Sequence, residues 1–194
     1  RLLREEISKQ MNEIYAPVEE QGKESLDLKT LSEIQAQHQA LLTDVMYYYI
    51  RHDLGRGFRA YYRFAHEATM ARDVPMDLQL QAELLSYLSR PPAPVIENDV
   101  SIELILASLR VRPLARAWAL GQYKGGLEEA EKFIEIIAAD WRSRFPVLLA
   151  AAHVWVASLQ IMRGTRDDMI EAKNQLESAY LLLPDEKINW PFED

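Results

Sequence analysis

The sequence predicts an all-α protein built from antiparallel helical hairpins. Apolar residues recur at spacings of three and four along most of the chain, which is the period of an amphipathic helix. Sustained apolar–polar alternation and Asn-Gly or Asp-Gly turns, which would indicate strands and hairpins, are missing from the sequence. The helical segments are joined mostly by short turns, so neighbouring helices should pair in opposite directions. The pairs could form a repeat-like stack or an irregular bundle.

Glycines, prolines and short polar segments set the expected helix ends. The predicted helices cover 2–15, 27–52, 58–72, 76–89, 100–110, 113–123, 127–141, 146–163 and 166–182. Pro17 is expected to lie in a polar break, and the two glycines within 53–57 are expected to form a turn. Thr165 and Asp168 predict a capping pair for the last helix.

The long helix at 27–52 has one apolar face, with members three and four residues apart. That face comprises Leu31, Ile34, His38, Leu41, Val45 and Tyr48. His38, like His153 in a later apolar helix, is expected to be a hydrogen-bonded core residue rather than a ligand. Successive helical residues point about 100° apart, so at least one of Tyr47, Tyr48 and Tyr49 should lie near the surface.

The clearest expected linker is the proline-rich segment 91–99, because proline disfavours a helix interior. It predicts an N-terminal helical subdomain at 1–90 and C-terminal helical hairpins at 100–194. The chain begins without methionine, so we expect it to be a piece of a longer protein. Its lack of cysteine excludes disulfides and thiolate chemistry and fits a reducing, cytoplasmic compartment.

The charge distribution limits the classes of partner. A net charge of -8 disfavours nucleic-acid binding, which depends on phosphate neutralisation. Residues 51–75 differ from the rest, with five basic and three acidic side chains.

The apolar segment 146–163 contains Pro146, His153 and Gln160, and we expect a buried central helix there rather than a membrane span.

The C-terminal part resembles a tetratricopeptide repeat. Ala172, Leu176, Ala179 and Pro184 have offsets of 0, 4, 7 and 12, the spacing of the second helix of that repeat. Ala157 would take the small position of the first helix if the turn is about three residues longer than usual for the family. Weaker echoes occur at Ala130, Ile134 and Ile137 after Gly121 and Tyr123, and at Ala60 and Phe64 after Gly55. The resemblance implies a concave groove, protein or peptide ligands, and no catalysis.

The predicted partner-binding residues lie in the basic segment. Arg56, Arg59, Arg63 and His66 are spaced 3, 4 and 3, so they share one helical face if the helix begins early enough, and Tyr62 interleaves with them. Stacked cations repel unless an anion lies nearby. That anion could belong to acidic helices of this chain or to a partner, and a recognition surface would have unpaired guanidiniums.

Motifs for chemistry are missing from the sequence. It has no Gly-x-Ser-x-Gly, no Gly-Lys-Ser/Thr, no His-Glu-x-x-His and no Glu-x-x-His pair. Paired carboxylates such as Asp167 and Asp168 lie at helix starts, where they favour the helix dipole. We therefore expect no catalytic, cofactor or metal site.

The predicted function is a protein-interaction module, an adaptor or scaffold that binds a protein or peptide segment in a helical groove. If the arginines contact this segment, we expect the segment to be acidic. The alternative is a helical effector-binding or dimerisation domain of a larger regulator, such as a transcription factor fragment. A cavity lined by Tyr48, Trp118 and Trp155, or a symmetric apolar patch that forms a homodimer, would favour this alternative. Neither hypothesis requires a membrane.

Overall fold

The computed structural model describes residues 2–21, 27–89 and 100–183, which form eight α-helices and no strands. The predicted all-α fold is confirmed. The helices are α1 (Leu2–Gln21), α2 (Leu28–His52), α3 (Leu54–Met70), α4 (Val74–Leu88), α5 (Ile102–Ala119), α6 (Gly125–Arg144), α7 (Pro146–Arg163) and α8 (Arg166–Leu182). The predicted linker 91–99 and Pro184 of the repeat pattern lie outside the described residues.

The ends of α7 and α8 agree with the sequence-based prediction. Gly164 ends α7 in the left-handed conformation, at φ 76°. The Thr165 side chain accepts a hydrogen bond from the Asp168 backbone N–H, and the Asp168 carboxylate accepts one from the Thr165 N–H. Arg163 also binds this carboxylate, and these hydrogen bonds together hold the pKa of Asp168 well below its usual value. The α7–α8 turn is therefore determined by local interactions.

Two helices continue where a proline was expected to interrupt the helical run. Pro17 lies inside α1, and Pro113 lies inside α5, which is one helix rather than two. A proline removes one hydrogen bond from a helix interior. Arg112 and Leu114, on either side of Pro113, are both buried. Packing on both sides of the proline therefore outweighs the local preference for a break.

The glycine turn expected at 53–57 is wrong, because α3 begins at Leu54 and Asp53 alone separates it from α2. Asp53 ends α2, and its carboxylate accepts the Arg56 N–H at 3.1 Å to start α3. Gly57 faces the preceding helix. A Cβ at this position would lie 2.4 Å from Ile50 Cγ1 and 2.5 Å from Ile50 Cα. The glycine therefore permits close helix packing.

The helices bury two neighbouring apolar clusters. The first contains residues of α2, α3 and α4 together with Val100, Ile105 and Leu109. The second fills the space between α5, α6 and α7, and includes Trp141 and Leu149. Because α5 contributes to both clusters, it connects the two parts of the fold. The division into subdomains 1–90 and 100–194 stays a prediction.

The apolar face of α2 differs from the prediction at its C-terminal end. Ile34, Leu41 and Val45 are buried, but Tyr48 is 45% exposed, and Ile50 is buried instead. Helix α3 packs closely on α2 at Gly57, and the side of α2 that contains Ile50 is therefore buried. The expectation of a surface tyrosine is confirmed, because Tyr47 is exposed as well.

The two histidines expected in the core are both half-buried. The His38 ring lies edge-on to Tyr15, with centroids 5.6 Å apart. His153 Nδ1 is 2.5 Å from Gln175 Oε1, a hydrogen bond between α7 and α8. The expectation of a hydrogen-bonded residue is therefore confirmed for His153, whereas the contact described for His38 is aromatic.

Helix α7 is long and apolar enough to cross a membrane by length and composition alone. In this structure it packs against α5, α6 and α8, and Leu148, Leu149, Ala152 and Val156 are buried. A helix in a protein core meets the same criteria of length and apolarity.

A buried ionic network joins α3 and α4 to α5. The Asp77 carboxylate of α4 is fully buried and accepts Arg112 Nε at 3.2 Å and Arg116 Nε at 2.5 Å. Arg112 Nη2 also donates to the Ala65 carbonyl of α3 at 2.7 Å and to the Thr69 hydroxyl. Arg116 donates to Gln81 as well. These hydrogen bonds offset part of the cost of burying the charges.

We expect Gly57→Ala to destabilise the protein by about 1–3 kcal/mol, because the new Cβ would displace the backbone of Ile50. Urea unfolding followed by circular dichroism measures this change. Gly125→Ala is the matched control: nothing lies within 4 Å of its Cβ, so stability should stay the same or rise by up to ~1 kcal/mol. Equal effects of the two substitutions would contradict the close approach.

We expect Asp77→Ala to lower the free energy of unfolding by about 3–5 kcal/mol, because Arg112 would remain buried without its carboxylate. Lys173→Ala removes an exposed pair with Glu177 and should cost about 0–1 kcal/mol. Thermal and urea unfolding of both variants test this difference. A loss for Asp77→Ala no larger than that of the control would disprove the role of the network.

Candidate functional site

The predicted basic residues lie on α3, which begins early enough to hold all of them. Phe58, Tyr61 and Phe64 are buried on its inner side. Arg56, Arg63 and His66 are exposed, and Arg59 and Tyr62 are half-buried. We call Arg56, Arg59, Tyr62, Arg63 and His66 the α3 stripe. The buried inner side gives the stripe a rigid support, although its role in binding stays a prediction.

The two exposed arginines of the stripe have different local partners. Arg56 Nε lies 3.3 Å from Asp53 Oδ2, in a pair whose arginine is 68% exposed and whose carboxylate side chain is 23% exposed. Arg63 stacks on the Phe64 ring, with its guanidinium carbon 5.0 Å from the centroid, and it has no ion pair among the described residues. Solvent screens an ion pair whose cation is exposed, so the Arg56–Asp53 pair contributes only about 0–1 kcal/mol. Both guanidiniums can therefore bind a carboxylate from outside.

The half-buried members of the stripe connect it to the core. The Tyr62 ring packs edge-on to Phe58 with centroids 6.4 Å apart, and burial raises the pKa of its hydroxyl. Arg59 also makes an interaction within the protein. These two side chains thus contribute to the packing of α3 as well as to its surface.

His66 connects the stripe to the C-terminal helices. Its ring centroid lies 6.4 Å from that of Trp155 in α7, and Trp155 lies 5.6 Å from Trp118 in α5. Partial burial and the positive charge of Arg112 lower the pKa of His66. A cavity of Tyr48, Trp118 and Trp155, which would favour the regulator alternative, does not form among the described residues, because Tyr48 is exposed and packs on His52 of its own helix.

The end of α2 adds cationic and aromatic side chains that were not among the predicted site residues. Arg51 lies over the Tyr47 ring at 5.1 Å, and the Tyr48 and His52 rings are 4.3 Å apart. All four are exposed. Each pair is four residues apart, and that spacing could have identified them because such residues are neighbours on a helix. Asp53 joins this segment directly to the start of the stripe.

The side chains on this surface are suited to binding a partner. Guanidinium groups bind carboxylates and phosphates through paired hydrogen bonds, and exposed tyrosines supply apolar area with a polar end. Among the described residues, no group of three or more His, Asp or Glu side chains has the arrangement of a metal site.

Comparisons with known proteins find no match: no family model, no curated protein and no solved structure matches this chain.

We expect NMR titration of His66 to give a pKa below the ordinary value of about 6.5. As the pH falls through about 6.5, this histidine would be protonated in the unfolded chain before it is protonated in the folded protein. The free energy of unfolding should therefore decrease between that pH and the lowered pKa. His66→Gln should reduce this decrease in urea unfolding measured across the same range. A pKa at or above the ordinary value would contradict the packing against Trp155.

Proposed function

We propose that this protein is a protein-interaction module that binds an acidic segment of a partner along the α3 stripe. The observation that carries the proposal is the exposure of Arg56, Arg63 and His66 on one side of a helix whose other side is buried. Arg63 has no carboxylate partner among the described residues, which is what a recognition surface requires. The neighbouring exposed residues of α2 extend the same cationic and aromatic chemistry.

The overall charge of the protein gives this surface its selectivity. The chain has a net charge of -8, so an acidic partner is repelled by most of the molecule and attracted to a basic region. Charges at an exposed interface mainly increase the association rate and set the orientation of the partner. Tyr47 and Tyr48 would provide apolar area for a partner segment, which would raise its affinity.

The helical hairpins support an adaptor or scaffold role of the tetratricopeptide type. Ala172 and Ala179 are buried, as expected of small residues that let α7 and α8 approach each other. The corresponding residues Ala130, Ile134 and Ile137 of α6 are buried as well. Burial of such residues also occurs in an ordinary helix pair, so the repeat resemblance remains part of the proposal. We also propose that the protein has this role in the cytoplasm and is not an enzyme.

We expect Arg56→Glu/Arg63→Glu to lose a partner that the wild-type protein retains in affinity purification with mass-spectrometry readout. Each substitution replaces attraction for a carboxylate by repulsion, and a direct binding assay with the purified partner should give a loss of roughly 10–100-fold. Circular dichroism verifies that the variant is folded.

The matched control is Lys132→Glu/Arg142→Glu, which makes the same change of charge at exposed positions of α6. It should retain the partner. Equal loss in both double variants would indicate a general effect of net charge, and an unchanged partner in the stripe variant would disprove binding at this surface.

The alternative, a dimerisation domain of a larger regulator, is favoured by exposed apolar residues of α8. Met169, Leu176 and Tyr180 are exposed at 49%, 44% and 70%, and their spacings of seven and four place them on one side of the helix. Among the described helices, α8 packs mainly on α7. Sedimentation velocity distinguishes a dimer from a monomer, because a dimer would have twice the mass of 22.4 kDa. If the dimer forms through these residues, Leu176→Lys should dissociate it.

A further inference from the structure

The hairpin of α7 and α8 has exposed apolar residues on both of its helices. Val154 and Ile161 of α7 are exposed, and so are Met169, Leu176 and Tyr180 of α8. Within each helix these residues are four or seven apart, so they lie on one side of it. We call these five residues the outer hairpin face.

Both rows of residues point away from the core. Val156 of α7 and Leu182 of α8 pack in or against the second apolar cluster. Val154 and Tyr180 each lie two residues from one of them, and residues two apart on a helix point in nearly opposite directions. Ile161 has the same relation to its own buried neighbour, so all the exposed residues lie on the side of the hairpin that faces solvent.

The two rows are also neighbours across the hairpin. His153 Nδ1 lies 2.5 Å from Gln175 Oε1, which fixes the level of α7 against α8 at this point. Val154 and Leu176 are the next residues along the two chains, so they lie at nearly the same level. The outer hairpin face is therefore one continuous apolar surface, which a soluble protein usually covers.

A positive charge borders the outer hairpin face at the start of α8. Arg166 lies three residues before Met169, on the same side of the helix, and it is exposed with no ion pair in the described part of the chain. The neighbouring acids do not compensate it there, because Asp168 is bound to Arg163 and Asp167 points to the side opposite Met169. The face is thus apolar along α8 and cationic at the end where α8 begins.

The chain changes direction where α8 ends. Leu183 has the extended values φ -90° and ψ 132°, and Pro184 has no N–H with which to continue the helix. Asp185 follows, and a Pro-Asp pair is typical of a turn. The segment 184–194 lies outside the described residues, and its sequence predicts a turn at its start.

The same segment contains three large apolar residues. Ile188, Trp190 and Phe192 are two residues apart, so an extended chain would present all three on one side. Two acidic residues, Glu193 and Asp194, follow them directly. If the segment returns along α8 from the end of that helix, its apolar residues meet the apolar part of the outer hairpin face and its acidic pair meets the cationic end.

The length and the attachment of the segment fit this face. An extended chain advances about 3.3 Å per residue, so residues 187–192 span about 17 Å. Met169 and Tyr180 are eleven residues apart on α8, which is also about 17 Å at a rise of about 1.5 Å per residue. A short covalent link gives the segment a local concentration in the millimolar range at the face, which a second copy in solution seldom reaches. The link therefore favours the segment as the occupant.

We propose that the outer hairpin face binds residues 184–194 of the same chain. The three apolar residues of the segment cover the apolar residues of the face, and the acidic pair lies at Arg166. Burial of both apolar surfaces drives the contact, and the charges set its direction. The contact is separate from the α3 stripe and does not depend on binding there.

The test is disulfide trapping in the full chain, which contains no cysteine of its own. The variant Met169→Cys/Glu193→Cys keeps all three apolar residues of the segment. In a glutathione redox buffer it should form an intramolecular disulfide, because the proposed contact brings the two positions together. Non-reducing electrophoresis and mass spectrometry identify this product at the mass of the monomer.

The matched control is Glu171→Cys/Glu193→Cys, because Glu171 is exposed at a similar level of α8 but points to the side opposite Met169. Its disulfide should form at least about 10-fold more slowly, since the segment is held on the other side of the helix. Equal rates in the two variants would overturn the proposal. A disulfide-linked dimer as the main product of Met169→Cys/Glu193→Cys would overturn it in favour of a second copy.

A double-mutant cycle measures the contact without cysteines. Trp190→Ala should lower the free energy of unfolding, and it should do so less in a chain that already carries Leu176→Ala. Leu78→Ala, at an exposed position of α4, is the control, and its effect should add to that of Trp190→Ala. Urea unfolding gives these values. Additive effects for both pairs would overturn the proposal.

Two measurements separate this proposal from the functions proposed above. Arg56→Glu/Arg63→Glu, combined with the trapping variant, should leave the rate of disulfide formation unchanged, so failure of the α3 proposal and failure of this one give different results. A wild-type dimer in sedimentation velocity that Leu176→Lys dissociates would overturn the intramolecular contact and support the dimerisation alternative.

Discussion

The buried pairing of Asp77 with Arg112 and Arg116 is the interaction on which the arrangement of the helices depends. It fixes α5 against α3 and α4, and α5 in turn contributes to both apolar clusters. Apolar packing alone tolerates sliding of one helix along another, whereas a buried carboxylate is satisfied only where both guanidiniums reach it. The network therefore joins α5 to α3 and α4 at one relative position. The positive charge of Arg112 also reaches His66 and contributes to its lowered pKa.

The α3 stripe owes its geometry to the packing of α3 on its opposite side. The α3 stripe faces solvent because the opposite side of α3 packs against α2 and α4, with Gly57 allowing the closest approach. Its cations therefore occupy positions determined by packing on the other side of the helix. Such preorganisation lowers the entropic cost of binding an anionic partner.

Much of the fold, and the shared face of the candidate site residues, could be predicted from the sequence. The extents of α7 and α8 follow from Gly164, Thr165 and Asp168, and the shared face of the α3 stripe follows from residue spacing. The break expected near Pro113 was wrong because buried residues on both sides stabilise the helix. The stacking of Arg110 on Phe133 and Trp141 could not be predicted, since it joins residues of two helices whose separation depends on a third.

The sequence by itself determined the features that depend on neighbours within about one helical turn. These are the helical periodicity, the cap at Thr165 and the local excess of arginine in an acidic chain. Only the tertiary structure decided that Gly57 is a packing position rather than part of a turn, that Asp77 is buried with its arginines, and which cations remain without a carboxylate. These features depend on groups that are distant in the chain, such as Asp77 and Arg112 at 35 residues apart. The spacing of residues along one helix does not indicate which distant side chain will contact them. Those contacts depend on how all the helices pack together.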